Sequence, residues 1–250
     1  SNQHPWFVEA AGDPDSPRRN WYVWSAENPG HRAPWGAPAW HVAGDSYYHG
    51  LFWEGMPDLN YRTPAVTEEM TNAARFWLEE MGADGFRLDA VRHLIEKDAR
   101  YVDTQETHDW LARWDDFIDQ VDPQALTVGE VWDDTAVVAP YVAGDEVDIA
   151  FEFGLAEAIL RSVNAENPAS LAQRLAEVSK AYPPGQYAPF LTNHDQNRTM
   201  TQLGNKVDKA QLAATILLTL PGTPFIYYGE KIGMAGQKPD ELIRTPMQWS

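Results

Sequence analysis

An α/β fold built on a parallel sheet, a partial TIM (β/α)8 barrel preceded by an irregular domain, is what this 250-residue sequence predicts. Three observations point there. From Thr63 onward helical and extended patterns alternate five times, the mark of βα units. No phosphate-binding turn of the form G-x-G-x-x-G or G-x-x-x-x-G-K-S/T follows an early strand, which sets aside a doubly wound nucleotide-binding sheet. Asp89, Glu130 and Asp195 stand instead at or just past the C-terminal ends of predicted strands, the ends that converge on one site in a barrel.

Residues 1–62 lie ahead of this alternation. They hold prolines at 5, 14, 17, 29, 34, 38 and 57 and tryptophans at 6, 21, 24, 35, 40 and 53, with no sustained helical period. The stretch reads as a loop-rich domain with short strands such as 21–24. Its aromatic rings serve either as a private core or as surfaces on which a ligand ring stacks.

Residues 63–250 form the regular part. Thr63-Pro64 starts a helix whose Val66, Met70, Ala73, Ala74, Trp77 and Met81 share a face up to a stop at Gly82. A strand over 86–90 follows. The next helix carries Trp110, Leu111, Trp114, Phe117, Ile118 and Val121, ends before Pro123 and leads into a strand over 126–131. A short helix near 136–143 precedes a strand over 147–153, and a helix over 170–181 precedes an extended 189–192. An apolar helix over 207–220 then precedes a strand over 223–228.

Composition narrows the partners. A net charge of −18 argues against nucleic acid or an anionic membrane, since phosphate would be repelled from most approaches, whereas a neutral substrate is indifferent to it. The absence of cysteine excludes disulfides, thiolate metal sites and thiol catalysis. It leaves the compartment open, with an extracellular or periplasmic setting as the expectation and the cytoplasm as the alternative. The longest apolar run, 212–228, is broken at Pro221-Gly222-Thr223-Pro224 and is too short to span a bilayer.

The acids carry the chemistry. In a strand, the period of two puts Arg87 and Asp89 on one face. A guanidinium there favours the ionised carboxylate, as a nucleophile requires, although the pair also suits a plain structural ion bridge. Glu130 follows apolar strand residues and precedes Trp132, so desolvation is expected to raise its pKa, opposite to the effect of Arg87 on Asp89. Paired carboxylates on one rim suit glycoside hydrolysis.

At this point the segments become recognisable. Gly85-Phe86-Arg87-Leu88-Asp89-Ala90-Val91-Arg92-His93, Val128-Gly129-Glu130-Val131-Trp132 and Leu191-Thr192-Asn193-His194-Asp195 resemble three signature segments of the α-amylase family of glycoside hydrolases. Met56-Pro57-Asp58-Leu59-Asn60 resembles the marker that closes the family's inserted domain B. Gly229-Glu230-Lys231-Ile232-Gly233-Met234 resembles the marker at its eighth strand. The resemblance implies domain B over 1–62 and barrel strands four to eight over 63–250. Three strands, the Asp- and His-bearing segment of the third, and a C-terminal β-sandwich are then lacking. On that count the chain is a fragment that needs the other barrel half, from the same or another chain.

The resemblance also implies roles. Asp89 becomes the nucleophile, Glu130 the general acid/base and Asp195 the carboxylate that holds sugar hydroxyls. Arg87 orients Asp89, and Arg92, His93, Trp132, His194 and Arg198 join it in binding substrate. The expected substrate is a neutral α-glucan, cleaved at α-1,4 bonds with retention by a member of the group between α-amylases and oligo-1,6-glucosidases. Ala90 stands where α-1,6-cleaving glucosidases have valine, while Arg244-Thr245-Pro246-Met247-Gln248-Trp249 is shared with α-glucosidases and trehalose synthases. An α-glucosidase, a transglycosylase such as a trehalose synthase, and a non-catalytic amylase-like binding subunit are the alternatives. Many family members also hold a structural Ca²⁺, for which Asp13, Asp15 and the backbone carbonyl of His93 are candidate oxygen donors.

Overall fold

The computed structural model describes residues 1–249. It divides into two compact units, 1–86 with 90–125, and 87–89 with the chain from 126 onward.

The first unit begins with helix α1 (Pro5–Gly12), started by Pro5 at its first position and by the His4 ring, which accepts the Trp6 N–H at 3.3 Å. The sequence showed no helical period here. Two turns are too short for a period to register, and only Phe7 and Ala10, three apart, are buried. The strand expected over 21–24 is a 3₁₀ turn over Arg19–Trp21 followed by β1 (Trp24–Ser25). With β2 (Trp40–Ala43) and β3 (Ser46–His49) it forms an antiparallel sheet in the order β1-β3-β2.

Phe7 sits edge-on to Tyr22 and Tyr48, at 5.0 and 4.8 Å between ring centres, and Trp6, Trp21 and Trp24 close this small core. Trp40 packs on a second cluster of Ala33, Ala39, Leu51 and Tyr101, whereas Trp35 and Trp53 stay exposed. Trp6, Trp21, Trp24 and Trp40 therefore serve as private core.

Helix α2 (Pro64–Arg75) runs into a π-helical turn over Phe76–Glu80 before the chain reverses at Gly82, φ +67°. The expected face is correct for Val66 and Ala74 but wider than the buried one. Leu78 is buried, while Trp77 and Met81 are at least half exposed. Leu78 follows Ala74 at the ordinary helical interval of four and Ala73 is already exposed, so the buried stripe is narrower than the expected face. Helix α3 (Gln105–Val121) opens on Thr104, whose hydroxyl accepts the Thr107 N–H, and buries Trp110, Leu111, Trp114 and Ile118 as its spacing predicts. Trp110 Nε1 donates to Thr67 Oγ1 at 2.9 Å, tying α3 to α2.

A second sheet runs β4-β5-β6, where β4 is Gly85–Leu88, whose last two residues belong to the second unit, β5 is Leu126–Gly129 and β6 is Ile149–Ala150. Val128 and Gly129 pair in parallel with Ile149 and Ala150. Below this pairing Asp148 accepts from the Thr127 N–H and hydroxyl, at 2.7 and 2.9 Å.

The strand expected over 147–153 is cut short, because Phe153 already opens α5 (Phe153–Ala165). That helix was not foreseen. Its buried Phe153, Ala156, Ile159, Leu160 and Val163 continue the apolar run of the strand, and periodicity alone does not separate the two. The segments 189–192 and 223–228 are likewise not ladder strands. Each is tied on by two backbone bonds at its start, Ala188 N–H to Ala150 O at 2.9 Å with Glu152 N–H to Ala188 O at 3.1 Å, and Thr223 N–H to Tyr187 O at 3.0 Å with Phe225 N–H to Pro189 O at 2.9 Å. Pro189 and Pro224 have no N–H to extend the ladder.

Helices α4 (Thr135–Ala143), α6 (Ala169–Ala181), α7 (Thr199–Gln202), α8 (Val207–Thr219) and α9 (Asp240–Ile243) complete the unit. Its core includes Val128, Ile149 and Ala188, with Phe151 and Phe225 against them. Among the described residues no helix is long and apolar enough to cross a membrane.

Candidate active site

The end of β4 and the end of β5 are locked at one point, where the Glu130 N–H donates to Leu88 O at 2.9 Å. Asp89 follows at once, and Ala90 then takes a left-handed φ of 47°. That conformation costs a residue with a Cβ about 1 to 2 kcal/mol and turns the chain sharply just past the carboxylate.

Arg87 meets Asp89 through Nη1, as the strand period predicts, and donates through Nη2 to Glu130 Oε2 at 2.6 Å. The two acids thus share one guanidinium. The sequence paired Arg87 with Asp89, and the geometry adds Glu130, because the end of β5 brings it to the other side of the fork. What does separate the acids is burial: the Glu130 side chain is 10% exposed and that of Asp89 68%.

Asp195 belongs to a second cluster. Its N–H is held by Asn193 Oδ1 at 2.9 Å, Oδ1 accepts from Arg244 Nη2 at 2.6 Å, and Oδ2 lies 3.3 Å from His194 Nε2. Arg244 also donates from Nε to His194 O at 2.9 Å. Arg244 was not singled out as a site residue. It stands 49 positions from Asp195, and nothing in the spacing joins them.

Trp132, beside Glu130 in sequence, is half exposed and stacked on Phe153, 4.5 Å between ring centres and 15° between planes. Together with Asp133, Asp134, Gly154, Glu157 and Gln196 these rings line a cleft of about 470 Å³. A larger open cleft of about 540 Å³, between α4 and α6, contains none of Asp89, Glu130 and Asp195.

Arg198 departs from its expected role. It is 2% exposed, donates to Tyr228 O at 2.7 Å and lies under the rings of Tyr227 and Tyr228, so it supports the loop and does not face a substrate. In the first unit, Arg92 is engaged by Asp103 through Nε and Nη2, at 3.1 and 2.6 Å, which makes it a structural ion pair there. His93 Nδ1 is bonded to Tyr101 O at 2.8 Å, and its ring is edge-on to Trp35 and Phe52. Burial pushes its pKa below the usual 6.5, with the Tyr101 carbonyl opposing.

Of the donors named for a calcium ion, Asp13 and Asp15 sit in one turn at the end of α1. Asp13 Oδ1 accepts the Asp15 N–H at 2.9 Å in a turn that closes α1. Among the described residues no three His, Cys, Asp or Glu side chains gather closely enough to hold a metal.

Comparison with known proteins decides the family. The model of the alpha-amylase catalytic domain matches residues 1–250. The chain belongs to the alpha-amylase family. Alpha-amylase 3 of Dictyoglomus thermophilum is 40% identical over 254 residues, covering 100% of this chain and 48% of that protein. A trehalose synthase/amylase of Mycolicibacterium smegmatis is 32% identical, covering 100% and 50%. The crystal structure of an alpha-amylase from H. orenii superposes with a TM-score of 0.91 at 42% identity, covering 100% of this chain and 51% of that one. The chain spans about half the length of the curated relatives it matches. Its fold is the TIM-barrel type of α/β architecture, in the form of a partial barrel, as the sequence predicted.

Proposed function

We propose that this alpha-amylase family chain carries the reacting groups of a retaining glycosidase. Its substrate is α-1,4-linked starch-type glucan or malto-oligosaccharide, processed through a covalent glycosyl-enzyme. The observation that carries the reading is the single Arg87 guanidinium held by Asp89 and Glu130, which sets an exposed and a buried carboxylate side by side.

Asp89 attacks the anomeric carbon as Glu130 gives its proton to the departing glycosidic oxygen. The resulting Glu130 carboxylate then takes a proton from the incoming water, whose oxygen displaces Asp89 with retained configuration. Asp195 and His194 bind hydroxyls of the sugar being cleaved, and Trp132 offers a ring face to a sugar in the adjoining cleft. A neutral glucan is not repelled by a chain of charge −18. The three intact acids disfavour a non-catalytic subunit. An extracellular or periplasmic location belongs to the same reading, since such polymers are met outside the cell.

The trehalose synthase/amylase relative favours a second reading. The same trio serves a transglycosylase when a sugar hydroxyl, and not water, accepts the glycosyl group. Incubating the full-length enzyme with starch, maltose and pullulan, with products and their anomers followed by NMR, separates the two. Glu130→Gln is expected to abolish turnover at an unchanged melting temperature, because the amide is nearly isosteric and still accepts from Arg87. Normal activity of that variant on natural glucans would remove the assignment.

A further inference from the structure

Arg244 is delivered to Asp195 from a tightly held seat. Its own N–H caps α9 by donating to Asp240 O at 3.0 Å. The carbonyls on either side are both taken: Ile243 O accepts the Tyr227 hydroxyl at 3.2 Å and Thr245 O the Tyr228 hydroxyl at 2.7 Å. Ile243 is fully buried. The two tyrosines in turn pack on Arg198, which lies 4.7 and 4.5 Å from their ring centres. Glycine is required where the chain closes around this group, since a Cβ on Gly236 would stand 2.4 Å from Leu242 O and Gly229 holds a left-handed φ of +79°.

A half-exposed arginine–aspartate pair is worth little by itself. Here the same guanidinium makes two bonds to one short loop, from Nε to His194 O and from Nη2 to Asp195 Oδ1, out of a backbone that has little freedom to move. Nη2 also reaches Asp240 Oδ2 at 2.9 Å, so α9 and Asp195 compete for it.

We propose that Arg244 is the positioning residue for Asp195. It takes Oδ1 and turns Oδ2, next to His194 Nε2, toward a sugar hydroxyl. This rests on the reading of Asp195 as the sugar-binding carboxylate. Only arginine fits the task, because a lysine ammonium is a point charge that does not span the His194 carbonyl and the Asp195 carboxylate as a fork.

The test measures kcat and KM of the full-length enzyme on a chromogenic malto-oligosaccharide, with Asp89→Asn as control. Arg244→Ala is expected to lower kcat/KM about 10- to 100-fold, the range for lost charge-assisted bonds, with more of the loss in KM. Arg244→Lys recovers little of it, and added ethylguanidinium restores Arg244→Ala, a rescue that a merely structural role would not show. If Arg244→Ala does not fold, Tyr228→Phe replaces it: removing the bond to Thr245 O is expected to raise KM about threefold. Wild-type kcat and KM in Arg244→Ala, or in Tyr228→Phe in its place, overturn the proposal while an inactive Asp89→Asn leaves the functional reading standing. Full activity of Asp89→Asn sinks that reading itself.

Discussion

Arg87 Nη2 donates to Glu130 Oε2 at 2.6 Å across 43 residues of sequence, and the other end of the same guanidinium meets Asp89. One cation therefore keeps two neighbouring carboxylates compatible, where the sequence had shown only its pairing with Asp89. Its planar fork matters as much as its charge.

Arg87→Lys is accordingly expected to behave as a severe lesion. An ammonium serves one acid or the other, so kcat falls by about 100-fold or more while KM changes little. Steady-state kinetics on a chromogenic maltoside check this, and a variant within about threefold of wild type in kcat would show that the shared fork is dispensable.

Two acids outside the reacting pair, Glu152 buried and Glu230 half-buried, make stability depend on pH. Glu152 is fully buried, and burial raises its pKa above 4.5 against the bonds donated by the Tyr182 hydroxyl at 2.6 Å and the Thr135 hydroxyl at 2.9 Å. Burial raises Glu230 likewise, opposed by Thr199 and Thr192. An acid whose folded pKa lies above its unfolded value binds its proton more tightly when folded. The stability it contributes is complete below about 4.5 and is lost as pH rises through the folded value. Denaturant melts from pH 4 to 8 are expected to show Glu152→Gln gaining on wild type as pH rises; a constant difference would contradict the linkage.

His93 gives the opposite sign. Its pKa is depressed from 6.5, chiefly by burial, so the folded chain binds fewer protons near pH 6 than the unfolded one. The stability it contributes is present above pH 6.5 and is lost as pH falls through the folded value. Imidazole resonances followed by NMR are expected to titrate with a midpoint under 6.5, and a midpoint at or above 6.5 would place His93 in water.

Asp13 spends its carboxylate on the Asp15 N–H, and no cluster of metal-binding side chains forms among the described residues. Melting the full-length enzyme with and without EDTA tests whether it holds a calcium ion, and an unchanged melting temperature would remove that expectation. A fall of several degrees would show that oxygen donors gather there after all.

Local sequence by itself determined the elements whose signals are local. Pro64 and Gly82 bracketed the α2 region, the spacing of Trp110, Leu111, Trp114 and Ile118 defined the buried face of α3, and the period of two placed Arg87 over Asp89. These depend on backbone geometry within a few residues, which a chain carries wherever it goes. The family was also legible, because its marker segments are short and contiguous.

Only the tertiary structure decided what depends on distant partners. Which of Ala73, Ala74, Trp77 and Leu78 faces inward was set by what packs on the helix, and the early start of α5 needed the helical burial of Phe153 against the extended run before it. The bond from Arg87 to Glu130 needed β4 and β5 side by side. Arg198, which the resemblance assigned to substrate binding, proved to be buried under two tyrosines, while Arg244, 49 residues from Asp195, proved to be the group that holds it. The physical reason is common to all of these. A charged side chain declares its charge in the sequence, but whether it faces water, a carbonyl or another charge is set by which chain segments pack around it.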